Sequence, residues 1–175
     1  RWGDGERFLN RITDIRKREP DAAMRSNFIV GYPGETEEDH DQLLNFVNQA
    51  QLDWCGFFAF SPEEGTHAIS LPDRVPVGLM NERLAELREL QDSITAQRRD
   101  DLIGKKMTVL IDETGVARSH REAPEIDGVV HVSETLAVAT FVEVEIADAL
   151  GPDLVAVGAS AGANDEANEL VDDAR

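Results

Sequence analysis

The chain has 175 residues, 41% of them apolar, and carries 35 acidic against 17 basic side chains for a formal net charge of −18. That length suits one ordinary domain or two small ones with a packed core, and no apolar run approaches the roughly 18 residues of a membrane-spanning helix. The charge works against nucleic-acid binding, which draws most of its free energy from Lys and Arg contacts to phosphates, and it would steer a basic partner inward. The same acidity also serves plain solubility. A single cysteine, Cys55, excludes an internal disulfide and a cysteine-ligated cluster within this chain, and suits a cytoplasmic setting. The opening Arg1-Trp2-Gly3-Asp4-Gly5-Glu6 has neither a Met nor the pattern of a secretory signal, and reads as the start of a cut piece of a longer chain.

Residues 4–19 read as a helix, with Phe8, Ile12 and Ile15 at i, i+4, i+7 and Pro20 ending it. Met24 to Val30 is an apolar-rich strand that breaks at Gly31-Tyr32-Pro33-Gly34. Thr36 and Asp39 then form a capping-box-like start, with Glu37 and Glu38 in the first turn where the helix dipole favours negative charge. His40, Leu43, Leu44, Val47 and Gln51 share one face of that helix. Trp54 to Phe60 is a second buried-type strand, ended by Ser61-Pro62-Glu63-Glu64-Gly65. The alternation of helices and strands with short connections predicts parallel strands joined by right-handed crossovers.

An extended segment with Pro72 and Pro76 leads into a long helix over 77–102, striped by Met80, Leu84, Leu87 and Ile94 and stopped by Gly104. From there the pattern changes to short alternating runs: Met107 to Ile111, a turn at Thr114-Gly115, Val116 to Arg121, Gly128 to Val132, Phe141 to Ile146 and Leu154 to Val157. Five such strands predict a small all-β barrel over 104–160. Residues 161–175 are Ala, Gly, Asn, Asp and Glu with little to bury, and are expected to be disordered. Segment 1–103 holds 12 basic and 20 acidic residues, and 104–160 holds 4 and 10. A barrel that grips RNA carries a basic stripe and exposed aromatics; this one has a single aromatic, Phe141, so a tRNA target is disfavoured.

In parallel α/β folds ligands bind at the carboxyl ends of the strands. The loops Gly31–Glu35 and Ser61–Thr66 occupy that place. The first offers glycines and a following helix N-terminus, the second the paired carboxylates Glu63 and Glu64. Taken singly each is weak, since such loops are usually plain turns and such pairs are usually solvated. His40, His67, His120 and His131 have no metal-ligand spacing and are expected to be structural or solvent-exposed, and Cys55, inside a strand, to pack in the core.

Read together the segments are more specific. Asn27-Phe28-Ile29-Val30-Gly31-Tyr32-Pro33-Gly34-Glu35-Thr36-Glu37-Glu38-Asp39 resembles the fifth-strand motif of the methylthiotransferase branch of radical-SAM enzymes, and Phe60-Ser61-Pro62-Glu63-Glu64-Gly65-Thr66 the loop after that family's sixth strand. Arg118-Ser119-His120 and Ala123-Pro124-Glu125-Ile126-Asp127-Gly128 resemble the first hairpin and second loop of its C-terminal TRAM domain, in the subgroup that modifies an aspartate of small-subunit ribosomal protein twelve. The resemblance implies the C-terminal part of a radical-SAM (β/α) barrel followed by a five-stranded, OB-like TRAM barrel. It also implies a parent enzyme using S-adenosylmethionine and two 4Fe-4S clusters, whose cysteine triplets are absent here, so this chain alone is expected to be inactive and to hold no catalytic residue and no metal.

By the same resemblance Arg25, Ile29 and Gly31 are the candidate cofactor contacts. Ser61, Glu63 and Glu64 would line the active-site mouth, and Arg118, Glu125 and Asp127 would meet a basic ribosomal protein or the ribosome. Plain core for Ile29, an ordinary ion pair for Arg25 and ordinary hairpin polarity for the TRAM residues are the competing readings. A tRNA adenosine target and a non-catalytic binding module are the competing functions. One departure stands out: Ala139-Thr140 occupies the place of a Gly-containing turn before the fourth β-strand, which clouds that strand's register.

Overall fold

The computed structural model describes residues 4–161, and the chain divides into two compact units, Arg1–Thr95 and Ala96–Arg175. In the first unit the order is α1 (Gly5–Arg18), β1 (Arg25–Val30), α2 (Glu37–Ala50), β2 (Trp54–Ala59), a short 3-10 turn (His67–Ser70) and the start of α3 (Val77–Asp100). β1 and β2 pair in parallel, with Ile29 opposite Phe58 and Val30 opposite Ala59. One face of this ribbon is buried. Val30 and Phe57 pack with Val47 of α2 and Leu84, Leu87 and Ile94 of α3, and Phe28 and Cys55 lie against the same cluster. Phe28 stacks on Phe57 at 5.9 Å between ring centroids and meets Phe46 edge-on at 5.8 Å, geometries that suit the ring quadrupoles.

The predicted capping box is present: the Thr36 hydroxyl accepts from the Asp39 backbone N–H at 3.2 Å while Asp39 accepts from the Thr36 N–H at 3.0 Å. Gln51 is not a face residue; it is the left-handed C-cap of α2, at φ 48°. α1 behaves differently from an ordinary amphipathic helix. None of its residues is buried. Its Phe8, Ile12 and Ile15 instead line an open apolar groove of about 510 Å³ together with Met24, Phe28 and Leu52.

The second unit is a closed barrel with strand order β3-β4-β5-β7-β6, built from β3 (Lys106–Glu113), β4 (Val116–Arg118), β5 (Val130–His131), β6 (Phe141–Leu150) and β7 (Asp153–Ala161). Alternate residues point inward, so Val109, Ile111, Val142, Val144, Ile146 and Leu154 form its core. Two expected strands are shorter than the sequence suggests. β4 stops at Arg118 because Glu122 takes the Ser119 backbone N–H at 2.7 Å and pulls the chain into a turn. Of Gly128–Val132 only Val130 and His131 join the ladder, since the Val129 N–H goes to the Asp153 side chain at 2.9 Å. α3 ends at Asp100 rather than near 102, and the chain leaves through tight turns to Gly104 at φ 80°. The tail expected to be disordered lies, from residue 162 on, outside the described residues.

The missing glycine before the fourth strand leaves the register intact. Ala139 itself adopts the left-handed conformation, φ 62°, and donates its N–H to the Ile111 carbonyl at 2.8 Å, while the Ile111 N–H donates to the Thr140 carbonyl at 3.0 Å. β3 and β6 then pair without slip from Leu110 opposite Phe141 to Lys106 opposite Glu145. An L-residue pays a steric penalty of about 1–2 kcal/mol in that region, which glycine escapes at some cost in unfolded-state entropy. Ala139→Gly is therefore expected to raise the barrel's stability by about 0.5–1 kcal/mol in denaturant unfolding; a loss of stability would show that the turn is held by something other than this backbone fit.

Candidate functional site

The carboxyl ends of β1 and β2 lie side by side because the strands are parallel and in register, and their loops are tied together. Phe60 donates its backbone N–H to Val30 at 2.8 Å, and Tyr32 packs edge-on against Phe60 at 5.2 Å. The first loop is fixed from below. The Gly31 N–H donates to Glu35 Oε2 at 2.8 Å, and Arg83 of α3 grips Glu35 Oε1 and Glu37 Oε2, each at 2.8 Å. Gly31 sits at φ 85°, and a Cβ there would come within 2.5 Å of the Met80 sulfur. The Gly34 N–H is taken by the Asp73 carbonyl at 2.8 Å. The loop is thus a preorganised turn.

Arg83 is almost fully buried. Burial works against its charge, but the hydrogen bonds to Glu37 and Glu35 outweigh that and hold its pKa above the ordinary value. The bond from Arg83 in turn holds the Glu37 carboxyl below its ordinary range. Removing Arg83 leaves the largely buried Glu35 carboxylate without its cation, while the exposed Glu37 returns to water. Arg83→Met is expected to lower the first unit's stability by about 1–3 kcal/mol near neutral pH, measured by chemical denaturation. Because the Glu37 pKa is depressed on folding, its share of the effect is present above the ordinary carboxylate pKa and fades as pH falls through the lowered value. A difference between wild type and variant that grows in acid would contradict the clamp.

Ile29 is on the open side of the ribbon, 63% exposed, beside its cross-strand partner Phe58 at 57%. Gly56 makes room for both neighbours: a Cβ there would lie 2.5 Å from the Asn27 amide oxygen and 2.9 Å from the Phe58 ring. Ile29, Asn27 and Phe58 therefore form one flat, uncovered face whose upper rim is the Gly31 loop. Arg25 begins the same strand, four residues earlier, so the rise of about 3.3 Å per residue sets it roughly 13 Å from Ile29; the structure does not gather it with Ile29 and Gly31. Ser61, Glu63 and Glu64 are exposed in the second loop, where the Thr66 hydroxyl donates to the Glu63 carbonyl at 2.7 Å.

In the second unit the three expected contact residues have different fates. Arg118 reaches Asp112 at 3.4 Å, and Asp127 accepts the Ala123 N–H at 2.8 Å, closing its own turn. Glu125 is exposed at φ 63° in that turn, next to Ile126, which is 68% exposed. The turn is anchored by buried groups that the sequence did not single out. Glu122 bonds the Ser119 hydroxyl at 2.7 Å and pairs with Arg99, whose Nε donates to the Pro152 carbonyl at 2.8 Å. Gly128 is needed there, since a Cβ would stand 2.1 Å from the Pro152 oxygen.

Among the described residues no group of three or more His, Cys, Asp or Glu is placed to hold a metal ion. Cys55 is half-buried, and burial pushes its thiol pKa up to about 12, the reverse of a thiolate ligand. His40 is buried and bonded to Glu86 at 2.8 Å. No helix among the described residues is long and apolar enough to cross a membrane.

These features define a class: a parallel α/β unit with a loop site at its strand ends, followed by a small closed β-barrel of TRAM type. Residues 103–158 match the TRAM domain family. The chain is 48% identical over 154 residues to the ribosomal protein uS12 methylthiotransferase RimO of Azoarcus sp. (strain BH72), a match covering 85% of this chain and 35% of that protein. It is 45% identical over 162 residues to the enzyme of the same name from Stenotrophomonas maltophilia (strain R551-3), covering 88% and 36%. To that of Cutibacterium acnes (strain DSM 16379 / KPA171202) it is 43% identical over 166 residues, covering 92% and 34%. The chain is similar over most of its length to these methylthiotransferases and spans about a third of the length of the curated relatives it matches. The resemblance drawn from the three motifs is borne out.

Proposed function

We propose that the chain is the part of a radical-SAM methylthiotransferase that forms one wall of the S-adenosylmethionine site and carries the substrate-docking module, in an enzyme that adds a methylthio group to an aspartate of ribosomal protein uS12. The relatives' name, at 43–48% identity over most of the chain, is the observation that carries this reading. The first unit then belongs to a larger (β/α) barrel. Its open apolar groove beside β1, lined by Phe8, Ile12 and Ile15, is where a further segment of that barrel would pack. The loops after β1 and β2 rim the active site, as the carboxyl ends of parallel strands do.

The exposed Ile29–Phe58 face fits the flat apolar ring of adenine, and the Gly31 turn, held by Glu35 and Arg83, shapes its rim. S-Adenosylmethionine, when bound, supplies the methyl group and the radical chemistry; this chain's part is to bind and orient it. Ser61, Glu63 and Glu64 would face substrate at the mouth. Arg25, at the far end of β1, would act from deeper in the barrel. The two 4Fe-4S clusters do not fit here, since they need several thiolates and the chain has one half-buried thiol. We therefore expect the chain alone to be inactive and the whole enzyme to work in the cytoplasm. Glu125, with Arg118 and Asp127 shaping its surroundings, would meet the basic target, and the acidity of 104–160 argues against tRNA.

A graft tests this. Residues 1–158 replace the matching third of the Azoarcus enzyme, and the chimera is expressed in cells lacking their own methylthiotransferase. Mass spectrometry of uS12 is expected to find the methylthio adduct on an aspartate. An unmodified uS12 with a folded, cluster-loaded chimera, or a modified tRNA in its place, would overturn the reading.

A further inference from the structure

We infer that the Asn27 carboxamide is a specificity-determining group of the first unit, reading the hydrogen-bonding edge of an adenine held on the Ile29–Phe58 face. This rests on the reading of that face as a wall of the S-adenosylmethionine site. Asn27 occupies the middle of β1, two residues before Ile29, so both side chains leave the same side of the ribbon. It is exposed there, as Ile29 is. Asparagine is a poor strand former, so the ladder itself does not account for it at this position. Among the described residues its side chain has no hydrogen-bond partner. A wall of an active site turns this face inward, and a carboxamide shut away from water without a partner is destabilising. A ligand that supplies the partner removes that penalty.

The neighbouring residues define what the partner is. Gly56 stands opposite Asn27 across the ribbon. A Cβ on Gly56 would lie 2.5 Å from the Asn27 amide oxygen and 2.9 and 3.2 Å from two atoms of the Phe58 ring. Both groups therefore lean over the one backbone position that has no side chain, which sets the carboxamide at the edge of the ring. A flat apolar surface with a donor and an acceptor at its border suits a planar heterocycle, stacked on the ring and bonded along its edge. Adenine presents its exocyclic amine beside a ring nitrogen, a donor next to an acceptor, and one carboxamide meets that pair with two hydrogen bonds.

The test is a double cycle of variant and ligand in the cluster-loaded chimera, read by calorimetric affinity rather than by turnover. One change is Asn27→Leu. The other replaces S-adenosylmethionine with its purine analogue, which lacks only the exocyclic amine. Wild type is expected to lose at least tenfold in affinity when the amine is removed. Asn27→Leu is expected to bind S-adenosylmethionine at least tenfold more weakly and to be indifferent to removal of the amine. If Asn27→Leu misfolds, Asn27→Thr takes its place with the same expectation. Gly56→Ala keeps the asparagine, meets only the ends of side chains, and is expected to shrink the amine effect. An amine effect as large in the Asn27 variant as in wild type would overturn the assignment. So would an Asn27 variant that binds like wild type while Ile29→Asp weakens binding, a result that leaves the wall reading standing. Unchanged affinity in both variants would overturn the two together.

Discussion

The parallel pairing of β1 and β2 is the constraint from which the candidate site follows. Parallel register sets the exits of both strands side by side, so two loops separated by about thirty residues of sequence become one rim. It also puts Ile29 and Phe58 opposite each other on the uncovered side, with Gly56 leaving room for the ring. A short two-stranded ribbon has little rigidity of its own. Its loop gains definition from α3, whose Met80 fills the space under Gly31 and whose Arg83 fixes Glu35 and Glu37. Gly31 is thus glycine for two reasons, a left-handed φ and a neighbour where a Cβ would be, and its N–H is already committed to Glu35.

The barrel obeys a different logic. Closure removes the exposed strand edges, so what remains to interact is the outer face and the loops. The 119–128 turn is stiffened by the buried Arg99–Glu122 pair and by the close approach of Gly128 to Pro152. The face of β3, β6 and β7 is stiffened by the ladder itself.

Much of this was legible in the sequence because the informative residues are local. The capping box at Thr36 and Asp39, the strand from Met24 to Val30 and the alternating run from Met107 to Ile111 are read from near neighbours, and the structure holds all three. The three motifs read together, around Ile29 and Gly31, Ser61 to Thr66 and Arg118 to Gly128, carried the family resemblance without any geometry. Illegible were features that depend on residues far apart in the chain. Arg83 lies on a helix read only for its apolar stripe, and its partners are 46 and 48 positions earlier. Glu122 shortens β4 through a bond no periodicity signals, and Asp153 takes the N–H that would have lengthened β5. Ala139 misled in the other direction, since an alanine can occupy a glycine's conformation when the hydrogen bonds on either side hold it there. The outward placement of Phe141 required the register, which only the folded barrel supplies.

The central claim is that the open face of the first unit forms a wall of the S-adenosylmethionine site, and calorimetric titration measures it most directly. The protein is the cluster-loaded chimera carrying this chain, titrated with S-adenosylmethionine as wild type and as Ile29→Asp. Ile29 is exposed, so the substitution spares the core, and its circular dichroism and melting should be unchanged. A loss of affinity of at least tenfold, with the clusters intact, is the result this account predicts. Unchanged affinity in a folded Ile29→Asp protein would place the cofactor elsewhere and contradict it.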